Sequence, residues 1–216
     1  MIEMVKNNSS LEPQASNEVR GGITDKGARD LIVLKYMAQK ICMVLRAMEQ
    51  PVAVSPPLYF SLKVHYPREH RIILYDPQFL LRDTTLSFVG FVSERQKNVD
   101  PYIDGELQRA DALLVRELVN TPGLLCNSSL EFRTGNWYNL VLLTDANVKT
   151  HVKNGANHNY AAHQLAPRYY EWIRLHSGVM PGGLSGNTLL LQKTKYYTCQ
   201  SPEPHFTVRE FTYEHR

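Results

Sequence analysis

Apolar and polar positions along this chain recur with two periods, and the changes of period mark out its elements. TLSFVGFVSE (residues 85–94) alternates and is rich in aromatic and β-branched residues, which predicts a strand. YIDGELQRADALLVRELV (residues 102–119) has apolar residues at helical spacing. GLLCNSSLEF (residues 123–132) and NWYNLVLLTD (residues 136–145) are two strands around a short Thr134-Gly135 turn. A helix is expected from about Asn157, stopping before Pro167 because a residue that precedes proline is pushed out of helical geometry. RYYEWIRLHSGVM (residues 168–180) then reads as a strand. Upstream, Leu31, Leu34, Ile41, Val44, Leu45 and Met48 recur every three or four positions, the stripe of an amphipathic helix ended by Pro51. LYFSLKVHY (residues 58–66) and RIILYD (residues 71–76) are short strands around residues 67–70. NTLLLQKTKYYT (residues 187–198) is another strand, and FTVREFTY in the tail suits one more.

Strand, helix, strand, strand, helix, strand over residues 85–180 is the order of a ferredoxin-like unit, with four antiparallel strands and two helices on one face. The fold class is therefore α+β. Four regions follow: a polar, mobile arm (1–25), an N-terminal helix and β-hairpin (26–84), the ferredoxin-like unit (85–199), and a tail or extra strand (200–216). The helix–strand–turn–strand order of region 26–84 echoes the later half, either as a decayed half-repeat or as a commonplace unit.

Alternation on the last strand puts Tyr170, Trp172, Arg174, His176 and Gly178 on one face, opposite Ile173, Leu175, Ser177 and Val179. The aliphatic set suits the face under the unit's own helices, so Trp172, Arg174 and His176 fall on the bare face, with Val141 and Phe132. Such an apolar patch calls for a cover. The expected cover is a second sheet, from a symmetry mate or from the strands at 58–76. Arg174 and His176 would then be buried and need partners.

Charge and composition narrow the classes of function. Of 216 residues, 43% are hydrophobic and 21% charged, and the net charge is only +3, with no basic run interleaved with aromatics. Nucleic acid is not an expected partner. No apolar run approaches the ~20 residues of a membrane span, and MIEMVKNNSSLEPQ has no apolar signal core. Cys42, Cys126 and Cys199 are far apart and make no CxxC pair, as expected of a reducing cytoplasm.

Candidate chemistry concentrates between Asp145 and His176. Asp145 reads as an N-cap, Lys149 and Lys153 are spaced for a solvent face, and Asn154-Gly155 breaks that helix. His158 and His163 are five residues apart, about 140° around a helix, so they do not make a metal pair, and no metal is expected. A single histidine beside a helix–sheet gap can exchange a proton near neutral pH. A pocket is therefore expected between the sheet and the helix at 157–166. His158, His163 and Tyr169 are its catalytic candidates; Trp172, Arg174 and His176 are its ligand-binding candidates. The glycines of PGGLSGN (residues 181–187) read as a turn, since no helix follows to make a phosphate loop.

The span from TLSFVGFV through NWYNLVLLTD to HQLAPRYYEWIRLHSGV resembles the dimeric α/β-barrel superfamily and, within it, uncharacterised bacterial members. That superfamily includes antibiotic-biosynthesis-type monooxygenases, stress-responsive barrel proteins and haem-handling chlorite-dismutase-like enzymes. The resemblance covers residues 85–180 and implies two sheets packed into a dimeric or pseudo-dimeric barrel, with ligands between a sheet and its own helices. It implies a homodimer, a small-molecule ligand, and a cofactor-independent oxygenase or isomerase of small aromatic or polyketide-like molecules. The alternatives are a non-catalytic ligand-binding or dimerisation protein and a haem-binding protein, in which His158 or His163 would be the axial ligand.

Overall fold

The computed structural model describes residues 18–20, 24–48, 55–65, 68–133, 135–153, 155–200 and 205–214. Its strands are β1 (Glu18–Arg20), β2 (Leu58–His65), β3 (Arg68–Leu74), β4 (Leu86–Arg95), β5 (Leu124–Arg133), β6 (Asn136–Leu143), β7 (Tyr170–Met180), β8 (Leu190–Gln200) and β9 (His205–Thr212). They form one mixed sheet in the order β1-β9-β8-β7-β4-β6-β5-β3-β2. Every neighbouring pair is antiparallel except β1 with β9. The chain is thus α+β, with an open sheet of eight antiparallel strands and a short parallel ninth. Most of the arm expected over 1–25 lies outside the described residues, as do Thr134 of the expected hairpin turn and Asn154 of the expected break.

Local sequence sets the helix ends. Helix α1 (Asp25–Ala47) starts where the Thr24 hydroxyl accepts the Gly27 N–H at 3.2 Å, with Asp25 in its first turn and Arg46 in its last, complementing the helix dipole. Pro77 opens the short α2 (Pro77–Leu80) behind the cap residue Asp76. Helix α3 (Pro101–Leu118) begins with Asp100 accepting the Tyr102 N–H and Pro101 in its first turn. Next come α4 (Val148–Lys153), α5 (Ala156–Tyr160), a π-helical turn (Ala161–Leu165) and α6 (Ala166–Tyr169). No described helix is long and apolar enough to cross a membrane.

The helix expected to end before Pro167 runs on to Tyr169. The π turn gives the Ala166 N–H to the Ala161 carbonyl, and Pro167, which has no N–H, sits in the first turn of α6. The last strand of the unit therefore starts at Tyr170 rather than Arg168. A register shift where β4 meets its first residues turns Tyr170 away from Trp172. Tyr170 packs with Ile103, Leu165 and Tyr169 under α3, while Trp172 packs at the edge of the core on the other face. Val141 also lies opposite to expectation, in a cluster with Leu118, Leu143 and Val148.

Helix α1 covers the face expected to be bare. Leu34, Met37, Ala38, Ile41, Val44 and Leu45 pack against Phe88, Val92, Leu140, Leu142 and Met180 in the largest core of the chain. Each fully buried aliphatic side chain there contributes roughly 1.5–3 kcal/mol. Gly90 permits the close approach, since a Cβ on it would lie 2.5 Å from a Leu34 methyl. Strands β2 and β3 do not stack across this face; they extend the sheet edgewise, β3 pairing with β5 and β2 with β3. No second sheet is needed to shield it.

Candidate functional site

The densest polar constellation lies under the N-terminal half of α1. Asp30 sits four residues before Leu34 on the helix's buried stripe and is only 1% exposed. Opposite it on β7 are Arg174 and His176, two residues apart and therefore on one face. Arg174 donates through Nε to Asp30 Oδ2 at 2.5 Å and through Nη2 to Oδ1 at 2.8 Å. His176 Nε2 is 2.9 Å from the same Oδ2, and its Nδ1 is 2.8 Å from the Thr194 hydroxyl on β8. The Tyr138 hydroxyl makes a longer contact of 3.4 Å to Oδ1. The Arg174 guanidinium lies 3.9 Å from the Trp172 ring centre, and the Trp172 indole donates to Glu94 at 2.9 Å. The three sequence-predicted ligand-binding residues, Trp172, Arg174 and His176, are thus brought together.

Burial alone would raise the Asp30 carboxyl, but the hydrogen bonds and charges of Arg174 and His176 outweigh it and hold Asp30 below the usual carboxylate range. Both carboxylate oxygens are occupied. If the Nε2 proton faces Asp30, Nδ1 of a neutral ring accepts from Thr194. This Asp–His–Thr chain has the connectivity of a proton relay, yet Thr194 at its end is 4% exposed and His176 is fully buried. A relay of this kind can fix α1 to the sheet; it presents no reactive atom to a substrate.

The three expected catalytic residues lie on the opposite face, and not at one point. Tyr169 is near the start of α3: the Arg95 guanidinium stands 5.5 Å over its ring and itself pairs with Asp104 at 3.7 Å. Burial holds the Tyr169 phenol above its usual range, against the pull of Arg95. His158 lies by Glu117 at the other end of α3, with Asn157 donating to Glu117 at 3.0 Å. Asp104 and Glu117 are about 20 Å apart along the helix. His163 is close enough to His158 to act on its charge, but it is exposed. His158 Nδ1 is buried without a hydrogen-bond partner, and burial, helped by Lys153 and His163, lowers its pKa, with Glu117 opposing.

No family model matches this chain, and no curated protein sequence matches it. Among solved structures it is similar to protein SO0527 from Shewanella oneidensis (11% identity, 45% of this chain, 92% of that one, TM-score 0.37). A conserved protein of unknown function from Bacteroides thetaiotaomicron, described as a possible oxidoreductase, is 14% identical over 45% of this chain and 99% of that one, with a TM-score of 0.34. A provisionally named monooxygenase from Lactobacillus acidophilus is 9% identical over 51% of this chain and 50% of that one, with a TM-score of 0.35. Similarity at that level says nothing about what this chain binds or does.

Two concavities stand out, of about 130 and about 20 Å³, and neither is lined by a sequence-predicted site residue. Of the two histidines that the resemblance offers as axial ligands, His163 is exposed and His158 keeps a buried, unpartnered Nδ1. Sequence reasoning missed Asp30, although one carboxylate inside the apolar stripe of an amphipathic helix signals a buried cationic partner. It also missed His70 on β3, fully buried, whose Nε2 is 2.6 Å from the Ser128 hydroxyl.

Proposed function

We propose that this chain is a non-catalytic ligand-binding or assembly protein built on a ferredoxin-like unit. The order β7-β4-β6-β5, with α3 and the α4–α6 segment between the strands, supports that unit. Its second face carries α1, which distinguishes it from a barrel closed by two sheets. The observation that carries the functional reading is the Asp30 clamp: the arginine and histidine best suited to hold a ligand are occupied by a carboxylate of the same chain. Ligand titrations of the purified protein followed by amide NMR, with native mass spectrometry for assembly, test the reading; saturable binding of a small molecule or a stable assembly is the expected result. Oxygen consumption with electron-rich phenols, lost in His158→Ala, would overturn it.

A second reading has one observation in its favour. His158 carries a buried, unpartnered ring nitrogen and a lowered pKa, so a neutral imidazole is available to take a proton. In that reading the chain is an oxygenase or isomerase of small aromatic molecules, with His158 as base and His163 at its edge. Turnover by the intact protein that rises as pH passes upward through the His158 transition would favour it over the binding reading.

A further inference from the structure

At one end of the sheet a cleft of about 130 Å³ lies between the last turns of α1, the segment following α2, and the loop after β7. Its floor is apolar and well buried: Leu45, Leu80 and Leu184 are each 5% exposed or less. Its rim is cationic. Arg46 and Arg82 both line the cleft, and neither has an ion-pair partner among the described residues. The Arg82 guanidinium rests 5.0 Å from the Phe79 ring centre. The one carboxylate in the lining, Asp83, accepts from the Ser185 hydroxyl at 2.5 Å, and two arginines against that one carboxylate leave the lining with a net positive charge.

The wall formed by the PGGLSGN loop is built in advance of any ligand. Gly182 and Gly183 have φ of +68° and +61°, conformations that favour glycine. A Cβ on Gly183 would lie 3.0 Å from the carbonyl oxygens of Arg82 and Thr84, so the loop backbone lies directly on that segment. The Ser185 hydroxyl, 2.7 Å from the Gly182 carbonyl as well as beside Asp83, shares its one proton between these two acceptors and ties the loop to that segment. A glycine-rich turn with no phosphate-loop helix thus acquires a role as a rigid side of the cleft.

We propose that this cleft binds a small monocarboxylate with a compact apolar body, of benzoate or hexanoate size. A cavity of roughly 150 Å³ holds a benzene-sized molecule, and a guanidinium at the mouth is the natural partner for a carboxylate. The proposal rests on the ligand-binding reading above and gives it a site and a ligand class. So small a ligand, partly exposed, binds with a Kd of about 1 mM.

The test is an amide NMR titration of the full chain with benzoate, with benzyl alcohol and inorganic phosphate as neutral and purely anionic controls. Benzoate is expected to give saturable shifts at residues 42–46, 80–83 and 184–185, which neither control reproduces. The Arg46→Gln/Arg82→Gln double variant should weaken binding at least tenfold. Alkylation of Cys42, which lines the cleft, should slow when benzoate is added to the unaltered protein, a readout that does not depend on the variant folding. Shifts that do not saturate, that phosphate or benzyl alcohol matches, or that survive loss of both arginines would overturn the proposal. Co-purification of a different ligand bound elsewhere would overturn it too, while leaving the binding reading intact.

Discussion

Two histidines lie fully buried beneath the same helix, and their surroundings differ. His176 on β7 has both ring nitrogens engaged, one by Asp30 and one by Thr194. His70 on β3 stacks on Tyr36 of α1 at 6.3 Å; its Nε2 meets Ser128, but its Nδ1 has no partner. Burial, with Lys40 adding to it, pushes the His70 pKa down to about 4. Equal burial therefore accompanies a locked polar joint near the start of α1 and a neutral imidazole held against protonation beside its middle. At the first site the Asp30 carboxylate engages the ring; at the second, burial is the larger cause and the Lys40 ammonium adds to it.

Removing the carboxylate should erase that difference with the largest effect. Asp30→Ala leaves Arg174 and His176 buried opposite an apolar side chain, and a loss of about 3–5 kcal/mol is expected in urea denaturation. Asp30→Asn, which keeps the shape and part of the hydrogen bonding, should cost less. A loss below about 1 kcal/mol for the alanine variant would show that the clamp is solvated in solution.

The His70 site is probed by pH. Its folded pKa lies below that of the unfolded chain, so the unfolded state binds the proton first. The stability tied to neutral His70 is complete above about pH 6.5 and lost as pH falls to about 4, up to about 3 kcal/mol in all. His70→Gln should flatten that part of the profile. Asp30 contributes in the same direction only below the ordinary carboxylate pKa of 3.8, so the two are separable.

Much of this architecture was legible in the sequence, and the limits are physical. Periodicity placed α3, the β5–β6 hairpin and the stripe of α1, because each is a local pattern. Alternation put Arg174 and His176 on one face for the same reason. What α1 covers was not legible, since its apolar stripe fits any apolar face. Asp30 and Arg174 are 144 positions apart, and nothing near either names the other. Tyr170 and Val141 were put on the wrong faces because strand register and bulges are settled by pairing, not by counting along one strand. Of the expected site, the Trp172–Arg174–His176 group is assembled, whereas His158 and Tyr169 are separated by the length of α3.

Smaller changes sharpen the picture further. Gly90→Ala forces the Leu34 methyl to move within the core above His176, and a loss of about 1–3 kcal/mol is expected by thermal denaturation. His158→Ala, on the other face and outside any clamp, should change stability by about 0.5 kcal/mol or less. A large loss there would mean that His158 is part of the packing and not available for chemistry.

The claim that Asp30 and Arg174 act as one joint is tested most directly by a double-mutant cycle in urea, using Asp30→Ala, Arg174→Met and the pair. The expected result is a coupling of about 2–3 kcal/mol, with the double variant more stable than the sum of the single losses allows, because neither charge is left buried alone. Losses that add to within about 0.5 kcal/mol would contradict it.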